Sequence, residues 1–160
     1  MEALRPNLLD YDPDALAAFF VEHGQKRFRA TQLIKWVHQQ GVLDLAGMTN
    51  FGQALRELIS QTGEFRLPEV VSCHESNDGT LKWLLRVDHG NAIETVFIPE
   101  ERRGTLCISS QAGCALDCSF CSTGKQGFNR NLAVSEIIGQ LWVANRALRA
   151  ALGEDRPITN

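Results

Sequence analysis

The hydrophobic period of this chain changes near Phe65, and that change constrains the fold more than any other feature. Before it, apolar residues recur at helical spacing. In DPDALAAFFVEHG, Asp12 is placed to cap a helix, Pro13 suits its first position and Gly24 follows its end. RATQLIKWVHQQG repeats the pattern, with Leu33, Trp36 and Val37 on one stripe and Gly41 as the stop. NFGQALRELISQTG is a third such segment, with Leu55, Leu58 and Ile59 aligned. Three short amphipathic helices predict a small helical domain over residues 1–64, marginal alone but able to dock on a larger body.

From Phe65 the period falls to two. PEVVSCHES and TLKWLLRVD flank Asn77-Asp78-Gly79, a turn sequence in which glycine supplies a positive φ. Leu81, Trp83, Leu85 and Val87 face one way, Lys82 and Arg86 the other. A second turn at His89-Gly90-Asn91 leads into AIETVFIP, so residues 65–103 predict a β-meander. GTLCISSQ is a further strand that runs into a loop holding three cysteines. After that loop, VSEIIGQLWVANRALRAA reads as a helix, with Ser135 placed to cap it. Ile137, Ile138, Leu141, Trp142 and Leu148 are expected to form its apolar side.

The cysteines thus sit at the C-terminal end of a strand, where βα barrels keep their active sites. EDRPITN reads as the lead-in to another strand. Residues 104–160 are expected to be the first strand–loop–helix unit of an unfinished barrel, and the fold class is a mixed α+β / α/β one.

Composition narrows the setting. An apolar share of 44% in 160 residues is that of an ordinary globular protein. No apolar run approaches the roughly 20 residues of a membrane span, so no membrane partner is expected. The N-terminus has no basic stretch followed by an apolar one, so no signal peptide and a cytoplasmic location are expected. In a reducing compartment, clustered cysteines bind metal or do chemistry more often than they form disulfides. A net charge of −3 argues against a general nucleic-acid coat, yet the charge is segregated. No acid lies between Glu22 and Asp44, while Lys26, Arg27, Arg29 and Lys35 all do. Interleaved with Phe28 and Trp36, these suit phosphates and bases of RNA; a solvated helix face explains them as well. Lys125, Arg130 and Asn131 stand in the same position, as RNA contacts or as solubilising residues.

The cysteine loop has the spacing Cys114-x3-Cys118-x2-Cys121. A structural zinc takes four protein ligands, and the only nearby fourth is Cys107. Iron–sulfur clusters take cysteine thiolates from short loops of this kind. Three thiolates on a four-iron cluster leave one iron open for a substrate or cofactor. A zinc-held RNA-binding module with Cys107 as fourth ligand is the alternative. Cys73, apart from the others, reads as structural, and no two of the scattered histidines have metal-ligand spacing. Cys107 shares a strand face with Thr105 and Ser109, although on the residues alone a small buried filler explains it better. Glu94 shares a face with Ala92, Val96 and Ile98. Partial desolvation there would make it a proton acceptor near neutral pH, and a cross-strand ion pair with Lys82 or Arg86 is the plainer account.

The cysteine spacing, with Phe120 before the last cysteine and Gly124 after it, resembles the radical S-adenosylmethionine (SAM) superfamily. FRATQLIKW, SNDGTLKWLL, ETVFIPE, TLCISSQAGCALDCSFCSTGKQGFNRNL, SEIIGQ and RPITN together resemble the RlmN family of radical SAM methyltransferases, whose sister family is Cfr. The resemblance implies a partial (βα)6 barrel and a [4Fe-4S] cluster on Cys114, Cys118 and Cys121 that chelates SAM. It also implies transfer of a methyl group to adenine C2, or to C8 in the Cfr case. The implied substrates are 23S rRNA at the peptidyl-transferase centre and the adenine beside the anticodon of certain tRNAs. It implies that Glu94 accepts a proton and that the Cys107 thiol resolves an RNA adduct through a disulfide with a second catalytic cysteine. A reductant such as flavodoxin and a monomeric state go with it. Members of that family are considerably longer. Further SAM contacts and the methyl-carrying cysteine are expected beyond residue 160, so the chain is not expected to turn over alone.

Overall fold

The computed structural model describes residues 5–101, 103–116, 118–152 and 158–160. Its chain divides into two compact units, Met1–Arg66 and Leu67–Asn160.

The first unit is helical. α1 (Pro13–Glu22) starts where its capping chemistry dictates: the Asp12 carboxylate accepts from Ala15 N–H at 2.7 Å, and Pro13 follows. α2 (Phe28–Ile34) passes into a wider π-helical turn, Lys35–Gln39, where the sequence pattern had implied one uniform helix. Leu33 and Val37 remain buried, while Trp36 is only half-buried and donates its indole N–H to Asn50 Oδ1 at 2.6 Å. α3 (Gln53–Thr62) buries Leu55 and Ile59. Asn7 joins the two ends of the unit: its amide donates to Arg66 O at 2.9 Å and accepts from Arg66 N–H at 3.2 Å.

The second unit is built on four antiparallel strands: β1 (Glu69–Glu75), β2 (Leu81–Arg86), β3 (Ala92–Glu100) and β4 (Arg103–Cys107), in that spatial order. The β1–β2 hairpin turns at Asn77–Gly79, with Gly79 at φ 80°. Trp83, Leu85, Ile93 and Phe97 alternate onto one face and form a core with Ala112, Leu132, Ala144 and Leu148. β4 pairs antiparallel with β3, so the strand read from sequence as the opening of a barrel also completes the meander. On its other side it takes a parallel neighbour. Asn160 N–H donates to Gly104 O at 3.2 Å and Asn160 O accepts from Leu106 N–H at 2.9 Å. Two bonds from one residue to positions two apart are the parallel pattern. A short hairpin of β5 (Gln111–Gly113) and β6 (Phe128–Asn131) frames the cysteine loop, and α4 (Val134–Leu152) follows. Glu154–Pro157, part of the expected lead-in to the next strand, lie outside the described residues.

α4 departs from its sequence reading in two ways. Ser135 lies inside the first turn and is buried; Glu136 instead reaches back to accept from Ala133 N–H at 2.8 Å, as the acidic partner of a capping box does. The buried stripe is Glu136, Gln140, Ala144 and Leu148, while Ile138, Leu141 and Trp142 are half-buried. Of the expected apolar side, Leu148 is in the core and Ile137 packs against it; the rest of the stripe was missed because two of its buried positions are polar residues satisfied by specific partners.

Candidate functional site

The strand register builds the first wall. Cys107 stands opposite Val96 on β3, and Lys82 stands opposite Val96 on β2, so the three form a row across the outer face of the sheet. Glu94, two residues along from Val96, shares that face. Its carboxylate meets Lys82 Nζ at 3.1 Å and is 55% exposed. The burial suggested for Glu94 is therefore absent, because its face of the sheet is the solvent side, and the cross-strand ion pair is present. Cys107 is exposed rather than a buried filler. Cys73 is also exposed, on β1, where partial desolvation and the charge of Glu75 push its thiol up. All five cysteines are free thiols, with no disulfide among them.

The loop after β4 builds the second wall. Gly113 has φ 72°, and a Cβ there would lie 1.9 Å from Gly127 O. Only glycine lets the two arms of the hairpin approach so closely. That contact starts the cysteine loop, since Cys114 N–H donates to the same Gly127 oxygen at 3.0 Å. Farther along, Cys121 N–H donates to Cys118 O at 3.0 Å, and the Cys114 sulfur accepts from Leu116 N–H at 3.4 Å. Backbone N–H groups of Gly124 and Thr123, then the Thr123 side chain, hold the Cys121 thiol below its ordinary range. That favours the thiolate, the form that binds metal. The three cysteines share one loop, but among the described residues no three His, Cys, Asp or Glu side chains are arranged to hold a metal ion.

Between the walls lies a cavity of about 440 Å³, within the roughly 300–1,000 Å³ range of small-molecule sites. Leu84, Asn91, Glu94 and Ser109 line its sheet side; Gln111, Thr123, Gln126 and Asn129 line its loop side. Four amide side chains and two hydroxyls, groups that both donate and accept hydrogen bonds, are among its lining.

Over 158 residues the chain is 56% identical to the dual-specificity RNA methyltransferase RlmN of Marinobacter nauticus. The match covers 99% of this chain and 43% of that protein. The chain belongs to the RlmN family. The RlmN-type model for the ribosomal RNA large subunit methyltransferase N-terminal domain matches residues 6–64. The crystal structure of a radical SAM methyltransferase from Sphaerobacter thermophilus superposes with a TM-score of 0.83 at 35% identity, covering 97% of this chain and 45% of that one. The chain thus spans less than half the length of the RlmN relative and of that solved structure.

The RlmN N-terminal match coincides with the helical unit that carries the basic segment. Lys26, Arg27 and Lys35 are exposed and Arg29 is half-buried. Arg27 reaches Asp14 at 3.5 Å; Arg29 donates to Gln32 Oε1 at 2.8 Å and lies 5.0 Å over the ring of half-exposed Phe28.

Sequence reasoning missed the side chains that brace the cavity from behind. Arg130, read as an RNA contact or a solubilising residue, instead grips Glu136 with two hydrogen bonds of 2.7 Å and donates to Asp88 O at 2.8 Å. Gln140 is fully buried and bonds Thr95 and both backbone groups of Ser109. The available signal was an acid and an amide four residues apart on the apolar side of a helix. Among the described residues, no helix is long and apolar enough to cross a membrane.

Proposed function

We propose that a protein of the relatives' length containing this chain is a radical SAM RNA methyltransferase. It methylates C2 of an adenine in 23S rRNA at the peptidyl-transferase centre and in tRNA beside the anticodon. The observation that carries this is the 56% identity over 158 residues to a dual-specificity RNA methyltransferase, a span that contains the cysteine loop and the Glu94–Cys107 sheet face.

Within this reading residues 1–64 form an accessory RNA-binding domain, 65–103 a β extension and 104–160 the start of a partial (βα)6 barrel. The parallel neighbour of β4 and the intervening α4 support a barrel start. Cys114, Cys118 and Cys121 would hold a [4Fe-4S] cluster; three cysteines on one loop, with the Cys121 thiol favoured as thiolate, are a fitting donor set. The bound cluster and SAM supply the radical chemistry.

This chain's own residues supply the rest. The amides and hydroxyls of Gln111, Gln126, Asn129 and Ser109 bind and orient a flat polar ring in the cavity. Glu94, on the cavity wall with one oxygen held by Lys82, accepts a proton from that ring. Cys107, exposed on the same face, offers a thiol for release of an RNA adduct through a disulfide with a cysteine outside this chain. Lys26, Arg27, Arg29 and Lys35 hold RNA phosphates. A flavodoxin-type donor reduces the cluster, and the enzyme acts as a monomer in the cytoplasm.

The test is methylation of 23S rRNA and tRNA by the full-length protein, with SAM and a reductant, and the modified position located on the base. Methyl at adenine C2 in both RNAs is expected. Methyl at C8 would move the chain to the Cfr-type reaction, and no methylation of either RNA would sink the reading.

A further inference from the structure

The end of β4 poses a problem of support. Its pairing with β3 ends at Val96–Cys107, and two residues later the chain leaves the sheet for the cysteine loop. A strand end without a partner frays, and its backbone groups need other bonds. Gln140 supplies them from α4. Its Oε1 accepts from Ser109 N–H at 2.7 Å, and its Nε2 donates to Ser109 O at 2.8 Å. One side-chain amide thus pairs with both backbone groups of one residue, as a neighbouring strand would. The same Oε1 accepts from the Thr95 hydroxyl at 2.8 Å, inside the sheet. Ser109 completes the chain of bonds: its hydroxyl donates to Glu94 O at 2.8 Å.

Gln140 and Thr95 are 0% and 1% exposed, so this amide is held in one orientation by its bonds and its surroundings. Burying an amide is costly unless its partners are in place, and a leucine at this point of the stripe would serve packing alone.

We propose that Gln140 is a positioning residue: it acts as a surrogate strand that fixes Ser109, and through Ser109 sets Glu94, on the cavity wall, relative to Cys107 on the same face of the sheet. The catalytic meaning of this clamp rests on the methyltransferase reading; the clamp itself does not.

The test compares Gln140→Leu and Gln140→Met with Leu148→Ala in the full-length protein. Leu148 lies two turns farther along the same buried stripe and belongs to the apolar core, so it controls for lost packing. Hydrogen exchange at the Ser109 amide, read without RNA, is expected to speed up about tenfold or more in the two Gln140 variants and to stay near the parent value in Leu148→Ala. In the methylation assay kcat is expected to fall about tenfold, more than KM for RNA rises, since orientation is lost more than binding. Gln140→Met matches the length of glutamine and carries the test where leucine impairs folding. Unchanged Ser109 exchange in both Gln140 variants would overturn the proposal, as would an equal loss of kcat in Leu148→Ala. Failure of the methyltransferase reading is a separate result: an inactive parent protein in which the Ser109 exchange difference persists.

Discussion

Arg130 and Glu136 meet through two hydrogen bonds of 2.7 Å, at a position where Glu136 is 5% exposed. Glu136 also accepts from the backbone N–H groups of Ala133 and Asp88, at 2.8 and 2.9 Å. One carboxylate therefore ties together the start of α4, the turn at Asp88 and strand β6. Removing Arg130 takes away two charge-assisted hydrogen bonds while the two backbone N–H bonds to the carboxylate remain, a loss of about 1.5–3 kcal/mol. Arg130→Ala is expected to destabilise the second unit by about that much, a shift readily measured by urea unfolding.

The same pair sets an acid limit. Burial acts to raise the Glu136 pKa, but the Arg130 hydrogen bonds, the two backbone N–H groups and the Arg130 charge outweigh it, and the net direction is down. A carboxylate held below its unfolded value stabilises the fold fully above that value, about pH 4.3. The contribution is lost as pH falls through the lower folded value. Urea midpoints measured downward from pH 6 are expected to drop less in Glu136→Gln than in the parent chain.

Lys82 and Glu94 are both about half exposed, so their ion pair contributes little to stability. Glu94→Gln is expected to change the unfolding free energy by less than about 1 kcal/mol. If Glu94 accepts the proton, the same substitution lowers kcat by about 10²-fold or more. A loss of stability matching the loss of rate would assign Glu94 a structural role.

Gly113→Ala puts a methyl group against Gly127 O, a backbone atom that cannot swing away. The β5–β6 hairpin is expected to open, and with it the anchor of Cys114. Iron uptake by the loop is the measurement, and it is expected to fall below that of a matched exposed control, Lys125→Ala.

The basic segment predicts a salt signature. Arg27→Ala and Lys26→Ala are each expected to reduce the slope of log affinity for RNA against log salt by about one. A slope unchanged in both would return the segment to a solvated helix face.

Local pattern made the helices, the meander and the strand–loop–helix order legible, because caps, turn residues and period act within a few positions. Asp12, Gly79 and the Trp83–Leu85 alternation are of that kind. What pattern could not supply were bonds between distant segments. Glu136 and Gln140 occupy an apolar stripe only because Arg130, Thr95 and Ser109 satisfy them. Arg130 looked available for RNA for the same reason. Glu94 lies on an apolar-looking strand face that proves to be the open side of the sheet, where the plain ion pair with Lys82 forms. The family resemblance points to Cys107 and Glu94 one at a time; the β3–β4 register puts them on one face.

The most direct test of the central claim is iron content and electron paramagnetic resonance of the full-length protein after anaerobic reconstitution with iron and sulfide, with and without SAM. The account predicts about four irons per chain and a reduced-cluster signal that shifts on adding SAM. It also predicts that Cys118→Ala abolishes both. One tightly held zinc in place of iron, or iron retained unchanged in Cys118→Ala, would contradict it.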